Sequence, residues 1–161
     1  MKRILLLTLL ISCQRTEDKI QNALRNEYGK DAVLVSYRAV GDNFLDSVRL
    51  RIALSESKYF EEMARIKGEQ AKSYARLRAL STSIPSVEMM HKEDALAKLA
   101  EMNRYIDSMV VMIQVDSMIR SRISNRKMDD LKFFHAKGVL MSGDTVWGVY
   151  DKDFRIVKIT L

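Results

Sequence analysis

The hydrophobic positions change period several times along this chain, and each change marks an element. Ile20, Leu24 and Tyr28 recur at the i, i+4 spacing of one helix face, behind Thr16, Glu17 and Asp18. That order is a capping hydroxyl followed by two acids, which suits the positive end of a helix dipole. Gly29 supplies a C-terminal stop. Residues 32–38 (Ala-Val-Leu-Val-Ser-Tyr-Arg) are rich in β-formers and run into the turn residues Gly41-Asp42-Asn43. Val48, Leu50, Ile52 and Leu54 then alternate with Ser47, Arg49, Arg51 and Ala53. A period of two predicts the second strand of an antiparallel hairpin, one face buried and one wet.

From Ser57, taken as a cap, to residue 80 the spacing turns helical, with Met63, Ile66, Tyr74 and Leu77 on one stripe. Gly68 within this stripe costs about 1 kcal/mol against alanine and points to close packing there. The segment Ser81-Thr82-Ser83-Ile84-Pro85-Ser86 breaks the pattern and holds the only proline. A second helix follows to about Ser124, its apolar stripe made of Ala95, Leu99, Met102, Ile106, Met109 and Ile113, which predicts a helical hairpin. Periodicity leaves residues 109–113 open between helix and buried strand. Phe133 to Met141, Thr145 to Tyr150 and Phe154 to Leu161 read as a meander, separated by Ser142-Gly143-Asp144 and Asp151-Lys152-Asp153. The expected fold class is α+β, in the order α-β-β-α-α-β-β-β. It has an antiparallel sheet of about five strands, an N-terminal helix and a long helical hairpin.

Composition narrows the classes. With 161 residues, 47% hydrophobic and 30% charged, the chain can bury a core as one ordinary globular domain. One proline and six glycines exclude collagen-like and low-complexity classes. No run approaches the roughly 20 apolar residues of a membrane-spanning helix.

The N-terminus carries the sharpest signal. Lys2-Arg3 precede the apolar run Ile4 to Ile11, then Ser12 and Cys13, the layout of a secretory signal. Cys13 is the only cysteine of the chain. Exported proteins usually pair their cysteines, so a lone one calls for an explanation. The junction Leu10-Ile11-Ser12-Cys13 resembles the bacterial lipobox: an aliphatic residue at −3, a small one at −1, then cysteine. The resemblance implies a signal peptide at 1–12, cleavage before Cys13, and a lipid on that cysteine as the membrane anchor of a single mature domain at 13–161. Cleavage would remove Lys2 and Arg3 and no acid, lowering the net charge from +6 to +4. That is mildly basic and no footprint of a nucleic-acid binder. Gln14, where an aspartate would favour retention at the inner membrane, leans the expected location toward the outer membrane. The mature chain resembles small lipoproteins of Gram-negative envelopes that pair a lipobox with a C-terminal strand meander, through the turn Tyr150-Asp151-Lys152-Asp153-Phe154. That likeness brings no activity with it.

Catalytic and metal chemistry find little material. His91 and His135 are the only histidines, without HxxxH or HExxH spacing. His135 alternates with Lys137 on the strand face opposite Phe134, Ala136 and Leu140, and reads as a surface residue. Asp151 and Asp153 lack the further oxygen ligands of a calcium loop. There is no G-x-S-x-G elbow, GxGxxG or P-loop. No catalytic residue, metal or cofactor is therefore expected. A hydrolase would need His91 or His135 within reach of an acid and a nucleophile.

Three features suit binding. Six of the ten methionines lie between Met89 and Met118, where flexible thioethers serve core filling or adaptable partner contact. Arg120, Arg122, Arg126 and Lys127 form a basic stretch with two readings: cations at a helix C-terminus, or contact with an anionic surface at about 1 kcal/mol per group. Trp147, between Val146 and Gly148, is expected to pack against the helices on the face it shares with Val149. Its alternative role is to stack on a small ligand such as a sugar. The first expectation is thus a lipid-anchored envelope protein that binds or scaffolds an envelope partner through the hairpin. The second is a small-ligand receptor with a pocket near Trp147.

Overall fold

A computed structural model describes the backbone of residues 2–161 and the side chains of residues 15–161. The side chains of Leu10-Ile11-Ser12-Cys13 lie outside those described. The order is α1 (Lys2–Tyr28), β1 (Val33–Val40), α2 (Asp42–Leu80), α3 (Pro85–Asn125), β2 (Phe133–Val139) and β3 (Thr145–Tyr150). The α+β class holds, with three helices and three strands. The expected five-stranded sheet is corrected to a three-stranded antiparallel sheet of order β1-β2-β3.

Two predicted strands are lost for separate reasons. Residues 47–54 lie inside α2, although Val48, Leu50, Ile52 and Leu54 alternate. Ala53, Ala64 and Ala71 are buried along it, at spacings near multiples of the helical repeat, and Leu54 is exposed. The expected turn at Gly41-Asp42-Asn43 is in fact the start of this helix. The Asp129 carboxylate accepts the Asn43 N–H at 3.1 Å, as a cap would. Turn chemistry and cap chemistry draw on the same residue types, so the sequence pattern fits both. At the other end, residues 154–161 form no strand. Phe154 takes φ 62 and turns the chain, and only a single bridge, Tyr150 to Ile156, continues the pairing. Residues 109–113 are helical within α3. Thr16 and Ser57 sit inside helices and cap neither.

The chain divides into two compact units, residues 1–46 with 126–160, and residues 47–125 with Leu161. In the first, α1 packs on one face of the sheet. Ile20, Leu24, Ala32, Ala136 and Tyr150 form its buried centre, flanked by Leu34, Tyr37, Phe134, Val146, Phe154 and Ile156. Gly29 ends α1 as its sequence predicts, at φ 101, with its N–H on the Arg25 carbonyl at 2.9 Å. Gln21 pins the helix to the sheet. Its amide donates to the Ala32 carbonyl and accepts the Leu34 N–H, both at 2.8 Å. Close approach is possible because β2 carries Gly138, where a Cβ would stand 2.4 Å from a methyl of Leu24. At the far side of the unit, buried Asp46 accepts a hydrogen bond from Arg126 at 3.0 Å, and Arg126 also donates to the Asn43 side chain at 2.6 Å.

The second unit is the expected helical hairpin, α2 continuing past Ser47 and α3 returning antiparallel. Phe60 meets Tyr105 at 6.3 Å, Lys67 pairs with Glu101 at 2.6 Å, and Arg78 pairs with Glu88 at 3.1 Å near the tip. Gly68 does mark a close approach, since a Cβ there would stand 3.2 Å from the Met102 sulfur. Pro85 opens α3 at the first helical position, where its missing N–H costs nothing. No described helix is long and apolar enough to cross a membrane.

Candidate functional site

Two surfaces, one in each unit, carry chemistry that the fold does not use up. The first is the open face of the sheet. Cross-strand register sets Arg38 opposite His135 and Lys137 opposite Trp147. These four side chains share the face turned away from α1, because the period-two alternation sends Phe134, Ala136 and Tyr150 to the core. Phe44, from the first turn of α2, comes over this face. Its ring lies 4.7 Å from that of His135, and His135 stacks on Trp147 at 5.2 Å and 9°. The Arg38 guanidinium stands 5.3 Å from the Phe44 ring, and the Lys137 ammonium 5.2 Å from that of Trp147. The result is a row of three rings with a cation at each end. Neither cation has a carboxylate partner among the described residues. Partial burial, and then the positive charge of Arg38, hold the His135 imidazole below its usual pKa and favour its neutral form.

Trp147 departs from its expected packing. It shares a face with Val149, as the alternation requires, but that face is the one turned away from α1, where Val149 is buried and Trp147 remains 50% exposed. Its backbone carbonyl accepts a hydrogen bond from the Tyr28 hydroxyl, so the strand is held while the indole is free to touch a ligand. Sequence reading missed Phe44, Arg38 and Lys137 as its companions. The alternation of His135 with Lys137 was a usable signal. Phe44 gives none, since it reaches the sheet from the start of a helix where the pattern predicts a turn followed by a strand.

The second surface runs along α3. Its predicted core stripe is split by the fold. Ala95, Met102 and Met109 are partly buried against α2, whereas Leu99, Ile106 and Ile113 are exposed. Leu96, Val110, Val111 and Met118 extend the exposed set. A helix with only one neighbour covers only one side of so wide a stripe. On α2 an open groove of about 740 Å³ runs past Ile66, Gln70, Ser73, Tyr74 and Leu77.

The basic stretch does not form a single free patch. Arg120 pairs with Asp116 at 2.6 Å, and Arg126 is committed to Asp46 and Asn43. Arg122 and Lys127 are exposed. The side chain of Cys13 lies outside those described. His91 faces Tyr74 with ring centres 6.2 Å apart, and its buried Nδ1 has no hydrogen-bond partner. Neither imidazole is hydrogen-bonded to an acid or a hydroxyl among the described residues. There, too, no three His, Cys, Asp or Glu side chains converge as metal ligands would. The chain matches no known family model, no curated protein and no solved structure.

Proposed function

We propose that this is a lipid-anchored protein of the bacterial cell envelope that acts by binding or scaffolding and performs no catalysis, with the helical hairpin as its partner-facing element. The observation that carries the reading is the uncovered apolar side of α3, where Leu96, Leu99, Ile106, Val110 and Ile113 stand exposed on one long helix. The largest apolar patch on a monomer is often its functional surface. The anchor rests on Cys13 within Leu10-Ile11-Ser12-Cys13, and Gln14 favours the outer membrane. Photo-crosslinking in cells from Leu96, Val110 and Ile113 tests the hairpin. Adducts with an envelope protein support it, and their absence at all three positions refutes it. Fatty-acid labelling tests the anchor separately: wild type takes the label and Cys13→Ser loses it, whereas an unlabelled wild type removes the anchor from the reading.

A second reading is favoured by the row Arg38, Phe44, His135, Trp147 and Lys137. Exposed rings stack on flat or sugar ligands, and unpaired cations at both ends suit an anionic one. An anionic sugar that binds there should shift the emission of Trp147, the only tryptophan of the chain. Unchanged emission across a panel of sugar phosphates and uronic acids argues against this role.

A further inference from the structure

The geometry points to a second copy of this chain as the partner of α3, the two α3 helices lying parallel and in register. This inference rests on the partner-facing reading of the hairpin and names the partner. Leu96, Leu99, Asn103, Ile106, Val110 and Ile113 follow one another at alternating steps of three and four. That is the a/d pattern of a coiled-coil seam, with Leu96, Asn103 and Val110 at a and Leu99, Ile106 and Ile113 at d. The a positions lie about 100° around the helix from the line of Ala95, Met102 and Met109, whereas the d positions lie only about 40° from it, and Ile106 shares a groove on α2 with Met102. The seam therefore adjoins the hairpin contact along its d side and stands clear of it along its a side. Lys92 bounds it at one end, and Ser117 and Arg120 at the other.

Size and polarity select the occupant. The five aliphatic seam residues are 37–56% exposed. At about 200 Å² for a fully exposed aliphatic residue, they leave roughly 450 Å² uncovered, over half of the ~800 Å² that each partner of a stable complex buries. Exposed Ala100, at the flanking e position, adds to this area, while Ala97, Val111 and Met118 fall at outward b positions. Asn103 sits in the middle of the seam, exposed and without a side-chain hydrogen bond among the described residues. In a parallel, in-register pair Asn103 meets Asn103, and each amide finds a donor and an acceptor in its symmetry mate. Antiparallel pairing of the same seam sets Asn103 against Ile106 twice and leaves both amides unsatisfied. Parallel pairing also sets Leu96, Leu99, Ile106, Val110 and Ile113 each against its own copy. Asp107, at the flanking e position, then faces Met102 of the other copy, so no like charges oppose there. A two-fold axis along the helices gives both chains the same direction, as two chains anchored in one membrane require.

The test uses the full chain with Cys13→Ser, so that an introduced cysteine is the only thiol. Val110→Cys should form a same-residue disulfide dimer on mild oxidation, while Arg76→Cys on α2 should not. In sedimentation equilibrium the parent should run at twice its 18.6 kDa. Ile106→Glu should weaken that association by about tenfold or more with helicity unchanged in circular dichroism. A parent that stays monomeric at high micromolar concentration overturns the inference. So does an antiparallel result, in which Val110→Cys crosslinks only when mixed with Leu99→Cys. In cells, a photo-crosslinker at Val110 should give an adduct of two copies. An adduct with a different protein overturns the second-copy inference and leaves the partner-facing reading standing, whereas no adduct from Leu96, Val110 or Ile113 removes both.

Discussion

Replacing Arg126 by alanine tests the electrostatic clamp that joins the start of α2 to the segment before β2. The Asp46 side chain is only 2% exposed, and its carboxylate accepts the Arg126 guanidinium at 3.0 Å. Taking away the guanidinium removes an ionic partner from a buried carboxylate and withdraws the hydrogen bond that Arg126 gives the Asn43 side-chain carbonyl at 2.6 Å. Breaking a buried pair from one side costs about 3–5 kcal/mol. Arg126 is itself about a quarter exposed, so water partly replaces it, and about 2–3 kcal/mol is the expected loss. Trp147 lies in the same compact unit, so its fluorescence reports that unit's unfolding in urea. At an m-value of about 1 kcal/mol/M for so small a unit, the midpoint should fall by about 2 M or more. The loss should shrink to under about 1 kcal/mol in an Asp46→Asn background, where no buried charge is left exposed to the change. A loss below about 0.5 kcal/mol in the parent, or equal losses in both backgrounds, refutes the reasoning.

Other consequences are as direct. The folded-state pKa of His135 is depressed, so the unfolded chain binds its proton more readily. Stability of the first unit is then intact above the ordinary imidazole pKa of 6.5 and declines as pH falls through the lower folded value; His135→Gln should flatten that limb, and NMR titration of the ring should give a midpoint below 6.5. Hydrogen bonds from Lys67 and Lys98 hold the Glu101 carboxyl down to about 2, so Lys67→Met should raise its NMR-measured value toward the ordinary carboxylate range. Gln21→Ala leaves the Leu34 N–H and the Ala32 carbonyl without the amide that satisfies both, and should cost about 1–3 kcal/mol in the same urea assay. Gly138→Val forces a side chain into Leu24 and the Val33 carbonyl, and should cost about 1–3 kcal/mol or more.

The sequence by itself determined the elements whose signal is local. Ile20 and Leu24 announce the buried face of α1 and Gly29 its end, because a 3.6-residue period and a residue tolerant of positive φ need no tertiary context. The hairpin tip at residues 81–86 was equally legible, and so were β2, β3 and the side of β2 that carries His135. Tertiary structure decided the rest. Val48 to Leu54 satisfy a strand and a helix alike. The choice goes to the helix where Asp129, distant in sequence, caps it and Arg126 ties down Asp46 in its first turn. The last eight residues alternate as well, yet the backbone turns at Phe154, whose ring packs back on Phe134 of β2 at 5.5 Å. Both candidate surfaces depend on the same kind of information. Apolar spacing on α3 states that a wide stripe exists. Which half of it is covered depends on where α2 lies, and the row of rings beside Trp147 depends on Phe44 arriving from a different element. Periodicity reports that a side is apolar, whereas contact across the chain decides what covers it.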